Sequence, residues 1–289
     1  MPDPRSRRLA LATGLTYHVL EWGDPAAPAV FLIHGFLDLA WGWDRVARRL
    51  ADRFHLIAPD LRGHGDTDWI GAGGYYHFFD YIADVDDLVA RLGGPQVAMV
   101  GHSMGGSVAA YWAGARPTRI RRLALLEGQG PPDQAGDVDG LPERATRWFE
   151  AWKRARTRPL RIMADVDEAA ARLRQHDPLL DEVQARELAA HGTRPVRDGV
   201  TWKHDPLHLT MGPYPFRVDL AAAFWRRIAC PTLVVDGEAS MLRLPDADRE
   251  ARRGFLGDAR HAVLPGAGHM MQRHQPDALA ELLAAHLGA

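Results

Sequence analysis

The chain of 289 residues has one cysteine, Cys230, which excludes an internal disulfide framework and a thiolate metal cluster. Nothing in it calls for an oxidising compartment, so a cytoplasmic location is expected, and Cys230 itself suits a core as a small hydrophobe. An excess of positive charge is also missing. The 35 lysines and arginines face 37 aspartates and glutamates, a formal net charge of −2, which leaves no global basic field to hold nucleic acid. A small-molecule partner is expected instead. Long apolar runs are absent as well: the longest stretch without a charged residue, Leu92 to Ala115, is broken by glycines, Pro95, Gln96, His102 and Ser103, so no membrane span is expected. Met1 to Arg8 carries charges with no apolar stretch behind it, and no signal peptide is expected. The composition, 46% hydrophobic and 25% charged, is that of a globular chain with a sizeable core and excludes disorder.

Arg8 to Ala12 and Thr16 to Trp22 read as short strands around Gly14. After them the rhythm changes. Ala29 to Ile33 and His55 to Ala58 are continuous apolar runs, the pattern of strands covered on both faces, and Trp43, Val46, Ala47 and Leu50 recur between them at helical spacing. The alternation continues through a helical stripe of Ile82, Val85, Leu88, Val89 and Leu92, a strand Val97 to Val100, a helix Gly105 to Ala115 and a strand Leu123 to Leu126. It resumes with strands Thr232 to Val235 and Ala262 to Leu264 and a final helix carrying Leu279, Leu282, Leu283 and His286. Strand, helix, strand units with short connections predict an α/β fold with a doubly wound, mostly parallel sheet. From residue 129 to 217 the rhythm is lost while helical patterns persist, an interval too long for a loop. The expected organisation is therefore a core of residues 1–128 and 218–289 with a helical lid inserted at 129–217.

The sharpest motif is Gly101-His102-Ser103-Met104-Gly105, placed after one predicted strand and before a helix. A nucleophilic serine needs that sharp strand-to-helix turn, whose crowded backbone admits only small residues two positions either side and whose helix N-terminus favours developing negative charge. With this motif the chain resembles the α/β-hydrolase superfamily, and its serine-hydrolase-like branch in particular, over nearly all of its length outside the lid. His34-Gly35-Phe36-Leu37 is similar to the family's oxyanion-hole turn, Asp60-Leu61-Arg62-Gly63-His64-Gly65 to its Asp-x-Arg-Gly-x-Gly turn, and Gly266-Ala267-Gly268-His269 to its Gly-x-Gly-His signature. The resemblance implies that Ser103 is the nucleophile, His269 its base, and the N–H groups of Phe36 and Met104 the oxyanion hole. His102 is expected to orient the elbow, and His34 and His64 to hydrogen-bond their own turns.

The acid departs from the family's pattern. Its usual place, about three residues beyond a glycine after the strand Thr232 to Val235, holds Ser240 after Gly237. Some members, certain haloalkane dehalogenases among them, carry the acid at the end of the preceding strand, and here that strand ends in Glu127. A carboxylate closing a buried strand beside Gly128 is otherwise an unfavourable place for charge. Glu127 is the expected acid, with Asp236 and Glu238 as rivals.

Between Arg144 and Arg161 seven cations are interleaved with Trp148, Phe149 and Trp152. That stretch reads either as a lid helix packed on the core with a solvated cationic face or as an amphipathic roof that attracts an acidic substrate or a membrane surface. His204 and His208 are four apart, but Pro206 lies between them and no third ligand is evident, so no metal is expected. Nucleotide-binding glycine motifs are lacking too, and no cofactor is expected. The expected activity is a cofactor-independent serine hydrolase acting on carboxylic esters through an acyl-enzyme, since related dehalogenases and epoxide hydrolases use a carboxylate nucleophile. Alternatives are a carbon–carbon bond hydrolase or perhydrolase with the same triad, and a ligand-binding receptor with slow turnover.

Overall fold

The computed structural model describes residues 3–134, 138–210 and 212–288. Met1 and Pro2 of the N-terminal stretch, and residues 135–137 and 211 of the expected insertion, lie outside the described residues. In chain order the strands are β1 (Arg5–Ala10), β2 (Thr16–Trp22), β3 (Ala29–Ile33), β4 (His55–Pro59), β5 (Val97–His102), β6 (Ile120–Leu126), β7 (Thr193–Val196), β8 (Gly199–Trp202), β9 (Thr232–Gly237) and β10 (Ala259–Leu264). The helices are α1 (Asp44–Leu50), α2 (Phe78–Leu92), α3 (Met104–Ala115), α4 (Leu141–Thr157), α5 (Val166–His176), α6 (Glu182–Gly192), α7 (Val218–Trp225), α8 (Asp246–Arg253), α9 (Met271–His274) and α10 (Pro276–Leu287).

Eight strands form one sheet in the order β1-β2-β4-β3-β5-β6-β9-β10. From β4 to β10 every pair is parallel, while β2 pairs antiparallel with both β1 and β4. The continuous apolar runs are explained by cover on both faces. Phe31, Ile33, Met99, Leu123 and Leu125 face the layer of α2, α3 and α7, while Val30, Leu32, Val100, Ala124 and Leu126 face α1 and α10. A period of two along each strand therefore feeds two cores. Strand order reverses between β3 and β5, where the chain leaves β3 for β4 and returns on the other side. A crevice at the carboxyl ends of those strands is the place such a sheet offers a ligand.

The segment between β6 and β9 departs from a purely helical insertion. It contains α4, α5 and α6, and also the antiparallel hairpin β7–β8. Val196 pairs with Gly199 across the two residues Arg197 and Asp198, and Gly199 sits at φ +143°, a conformation that favours glycine. The β-branched Val200 and Thr201 are the local signal for it; Pro195 argues against a strand and is accommodated in a two-stranded ribbon without a central position. Asp165 and Asp181 cap α5 and α6 by accepting from the N–H groups of Glu168 and Gln184. The two helices share a small apolar cluster with Leu39, Met163 and Leu180. The cationic helix α4 buries no residue completely; Trp152 and Ala155 pack on the edge of the main core, and Arg144 donates to the carbonyls of Gly212 and Tyr214. No helix among the described residues is long and apolar enough to cross a membrane.

Candidate active site

Six loops at the carboxyl edge of the sheet, after β3, β4, β5, β6, β9 and β10, carry the groups singled out in the sequence. Ser103 follows β5 directly and precedes α3, with φ +52° and ψ −121°, a strained backbone for a residue with a side chain. The turn closes because its flanking residues are glycines. A Cβ on Gly101 would stand 2.5 Å from the carbonyl oxygen of Gly105, and one on Gly105 would land on the carbonyl oxygens of His34 and Ile33. Met104 opens α3, so its N–H has no acceptor within the helix. It lines one cavity with Phe36, Ser103, Glu127 and His269.

Glu127 takes the step after β6 with φ +45°, which turns its side chain toward β9 and the loop after β10. One carboxylate oxygen, Oε2, accepts from His269 Nδ1 at 2.6 Å and from Ser240 Oγ at 2.8 Å, and Oε1 accepts from the Gly237 N–H at 3.0 Å. Burial alone would raise the Glu127 pKa; these three donors outweigh it and hold the carboxyl below its ordinary value. The rival acids are engaged elsewhere. Asp236 binds Arg249 Nη1 and meets His261 Nε2 at 2.8 Å, and Glu238 accepts from the Gly266 N–H at 2.9 Å. Ser240, which the sequence offers only as an acid position left without an acid, is a donor to the carboxylate that meets His269.

The other histidines tie loops together. His34 Nε2 accepts from the Leu61 N–H at 2.8 Å, and His64 Nε2 accepts from the Leu37 N–H at 3.2 Å, while their Nδ1–H groups donate to Gly35 and Arg62 carbonyls. Each thus bonds its own turn and also staples the Phe36 turn to the Asp60–Gly65 turn. His102 reaches farther than its own elbow: its Nε2–H donates to the His269 carbonyl at 2.8 Å. Burial pushes the His102 pKa down to about 3, keeping the ring neutral. His208 is buried and stacked on Tyr76 with ring centroids 3.8 Å apart, and burial pushes it down to about 3 as well. Elsewhere His18, Asp60 and Asp66 bring potential metal-ligand atoms within 4.8 Å of one another. There the Asp60 oxygens already accept from His18 and from the N–H groups of Ala40 and Asp66, and Asp66 holds Lys203, so these groups serve the turn.

The cavity measures about 1060 Å³. Phe36, Phe78, Phe79, Tyr111, Phe216 and Leu220 give it apolar walls. Three arginines stand on its wall: Arg217 is bidentate to Asp219, Arg249 is held between Asp236 and Asp246, and Arg243 lies beside Leu242 and Leu244.

A family model described as the alpha/beta hydrolase fold matches residues 28–273, and the chain belongs to that family. Its curated relatives include several hydrolases. It is 31% identical over 279 residues to the 3-hydroxybutyrate-oligomer hydrolase of Cupriavidus necator, a match covering 88% of this chain and 86% of that protein. It is 27% identical to Epoxide hydrolase A of Mycobacterium tuberculosis over 94% of both chains. Among solved structures, the thioesterase domain from the curacin biosynthetic pathway superposes with a TM-score of 0.84 at 30% identity, covering 98% of this chain and 99% of that one.

Proposed function

We propose that the protein is a cofactor-independent serine hydrolase that cleaves carboxylic esters through an acyl-enzyme. The observation that carries the reading is the 2.6 Å contact of His269 Nδ1 with Glu127 in the cavity that Ser103 also lines. Glu127 holds His269 with Nδ1 protonated, which leaves Nε2 free to take the Ser103 proton as Oγ attacks the ester carbonyl. The oxyanion forms against the N–H groups of Phe36 and Met104. The proton then passes from His269 to the leaving alcohol, the acyl group stays on Ser103, and water activated by His269 releases the acid.

The apolar walls favour a neutral acyl chain, and about 1060 Å³ is at the upper end of ordinary ligand pockets, room for a medium or long chain. Residues 129–217 act as a lid in this reading, because Gly130, Val138, Leu141 and Tyr214 line the cavity. A hydroxyl nucleophile separates the chain from carboxylate-nucleophile epoxide hydrolases, and the similarity to a thioesterase domain makes thioesters part of the test. Wild-type protein should be labelled covalently by an organophosphonate and turn over a chain-length panel of esters and thioesters. Ser103→Ala should lose labelling and turnover, the latter by roughly 10⁴-fold or more. Labelling retained in that variant, or turnover confined to carbon–carbon bond substrates, rejects the reading. Labelling in a burst with no steady turnover would point to a receptor.

A further inference from the structure

Behind the triad lies a polar cluster that takes no part in the steps of ester hydrolysis: Asp38, His102, Gln272 and Arg273, which are buried, and Asp177 and His274, which are partly buried. It draws on three parts of the chain besides the nucleophile's turn. Asp38 is two residues beyond Phe36, Gln272 to His274 follow His269, and Asp177 closes α5 in the segment between β6 and β9.

The hydrogen bonds have a direction. Asp177 Oδ1 accepts from His274 Nε2–H at 2.7 Å, and His274 Nδ1 accepts the Gly268 N–H at 3.0 Å. A backbone N–H can only donate, so His274 in this arrangement is the neutral Nε2–H tautomer, and Asp177 is the group that selects it. Gly268 immediately precedes His269, and that loop is crowded: a Cβ on Gly268 would stand 3.1 Å from the His274 ring. A second arm reaches the same loop from the other side. Arg273 Nη2 donates to Asp38 at 2.6 Å, while its Nη1 stands 3.9 Å from Asp177 Oδ2. Gln272 Nε2 meets Asp38 at 3.2 Å and His102 Nδ1 at 3.4 Å, and His102 Nε2 donates to the His269 carbonyl. The backbone on either side of the His269 side chain is thus held from behind, and one anchor, Asp177, belongs to the segment that covers the cavity. Asp177 is itself fixed, its N–H donating to the Leu173 carbonyl at 2.9 Å and its carbonyl accepting from Leu180 at 3.1 Å.

We infer that Asp177 is a positioning residue: through His274 and Gly268 it sets the place of the base His269, so that seating of the 129–217 segment and competence of the base are coupled. The inference rests on the proposed reading of Ser103 and His269. A base displaced by about 1 Å can cost on the order of a hundredfold in rate, which makes a support at this point kinetically visible.

The test uses the full chain, a small soluble ester and an organophosphonate. Asp177→Ala should lower both kcat and the rate of Ser103 phosphonylation by roughly ten- to a hundredfold while KM stays within about twofold. Asp177→Asn keeps an oxygen for His274 and should recover to within about threefold of wild type. His274→Asn, too short to bridge Asp177 and Gly268, cuts the same arm and should reproduce the loss; it decides the matter if Asp177→Ala does not fold. Wild-type kcat in folded Asp177→Ala or His274→Asn, or an Asp177→Asn variant as impaired as Asp177→Ala, overturns the inference. A wild-type protein that neither hydrolyses esters nor takes the phosphonate rejects the ester-hydrolase reading itself.

Discussion

Replacing Glu127 by glutamine changes one oxygen to an NH2 and leaves the side chain's shape intact. The consequence depends on the three donors around the carboxylate. If the amide nitrogen is placed at the Oε1 position, it faces the Gly237 N–H, a donor 3.0 Å away that cannot turn. If it is placed at Oε2, it faces His269 Nδ1 at 2.6 Å and the Ser240 hydroxyl at 2.8 Å. The hydroxyl can rotate to accept, and the imidazole can shift its proton to Nε2, so the second placement is the one the site tolerates. That tautomer has lost the lone pair that would take the Ser103 proton, and the negative charge that would stabilise an imidazolium is gone. The expected loss in turnover is up to about 10⁴-fold, or about 5.4 kcal/mol of barrier, with KM little changed. The assay is steady-state hydrolysis of a chromogenic ester by wild type and Glu127→Gln, with circular dichroism to show that both are folded. Turnover by Glu127→Gln within tenfold of wild type would refute the reasoning and return the acid to Asp236 or Glu238.

Asp236→Asn and Glu238→Gln, whose carboxylates are engaged by Arg249, His261 and the Gly266 N–H, should stay within about tenfold of wild type in the same assay. Because Glu127 has a lowered pKa in the folded protein, its charge contributes stability above the ordinary carboxylate range and loses it as pH falls through the folded value. The difference in urea midpoint between wild type and Glu127→Gln should accordingly shrink toward low pH. Gly105→Ala would drive a Cβ into the His34 and Ile33 carbonyl oxygens; a loss of roughly 1–3 kcal/mol in urea denaturation together with a fall in turnover is expected.

Much of the architecture was legible because it follows from local pattern. Apolar runs of four to seven residues mark strands covered on both faces, and stripes such as Val85, Leu88 and Val89 mark helices that cover them. Gly101 and Gly105 mark a turn that no larger residue could make. Alternation of those elements was enough for a doubly wound sheet, and hence for the edge at which Ser103 stands. The β7–β8 ribbon is not legible, since its four-residue strands are too short for periodicity to speak and Pro195 argues against a strand.

Position along the chain and residue type determined that Ser103 follows a strand, that His269 sits in a glycine turn after the last strand, and that Glu127, Asp236 and Glu238 are candidate partners. Which carboxylate meets His269 was decided by tertiary structure. Glu127 and His269 are separated by 142 positions, and their contact depends on β6 and β9 being neighbours and on the positive φ of Glu127. The roles of Ser240 as a donor to that carboxylate and of Asp177 as an anchor behind the histidine loop have no sequence signature either. A side-chain hydrogen bond requires only that two groups arrive within about 3 Å, and it is the packing of the sheet and of the segment between β6 and β9, not any local spacing, that brings them there.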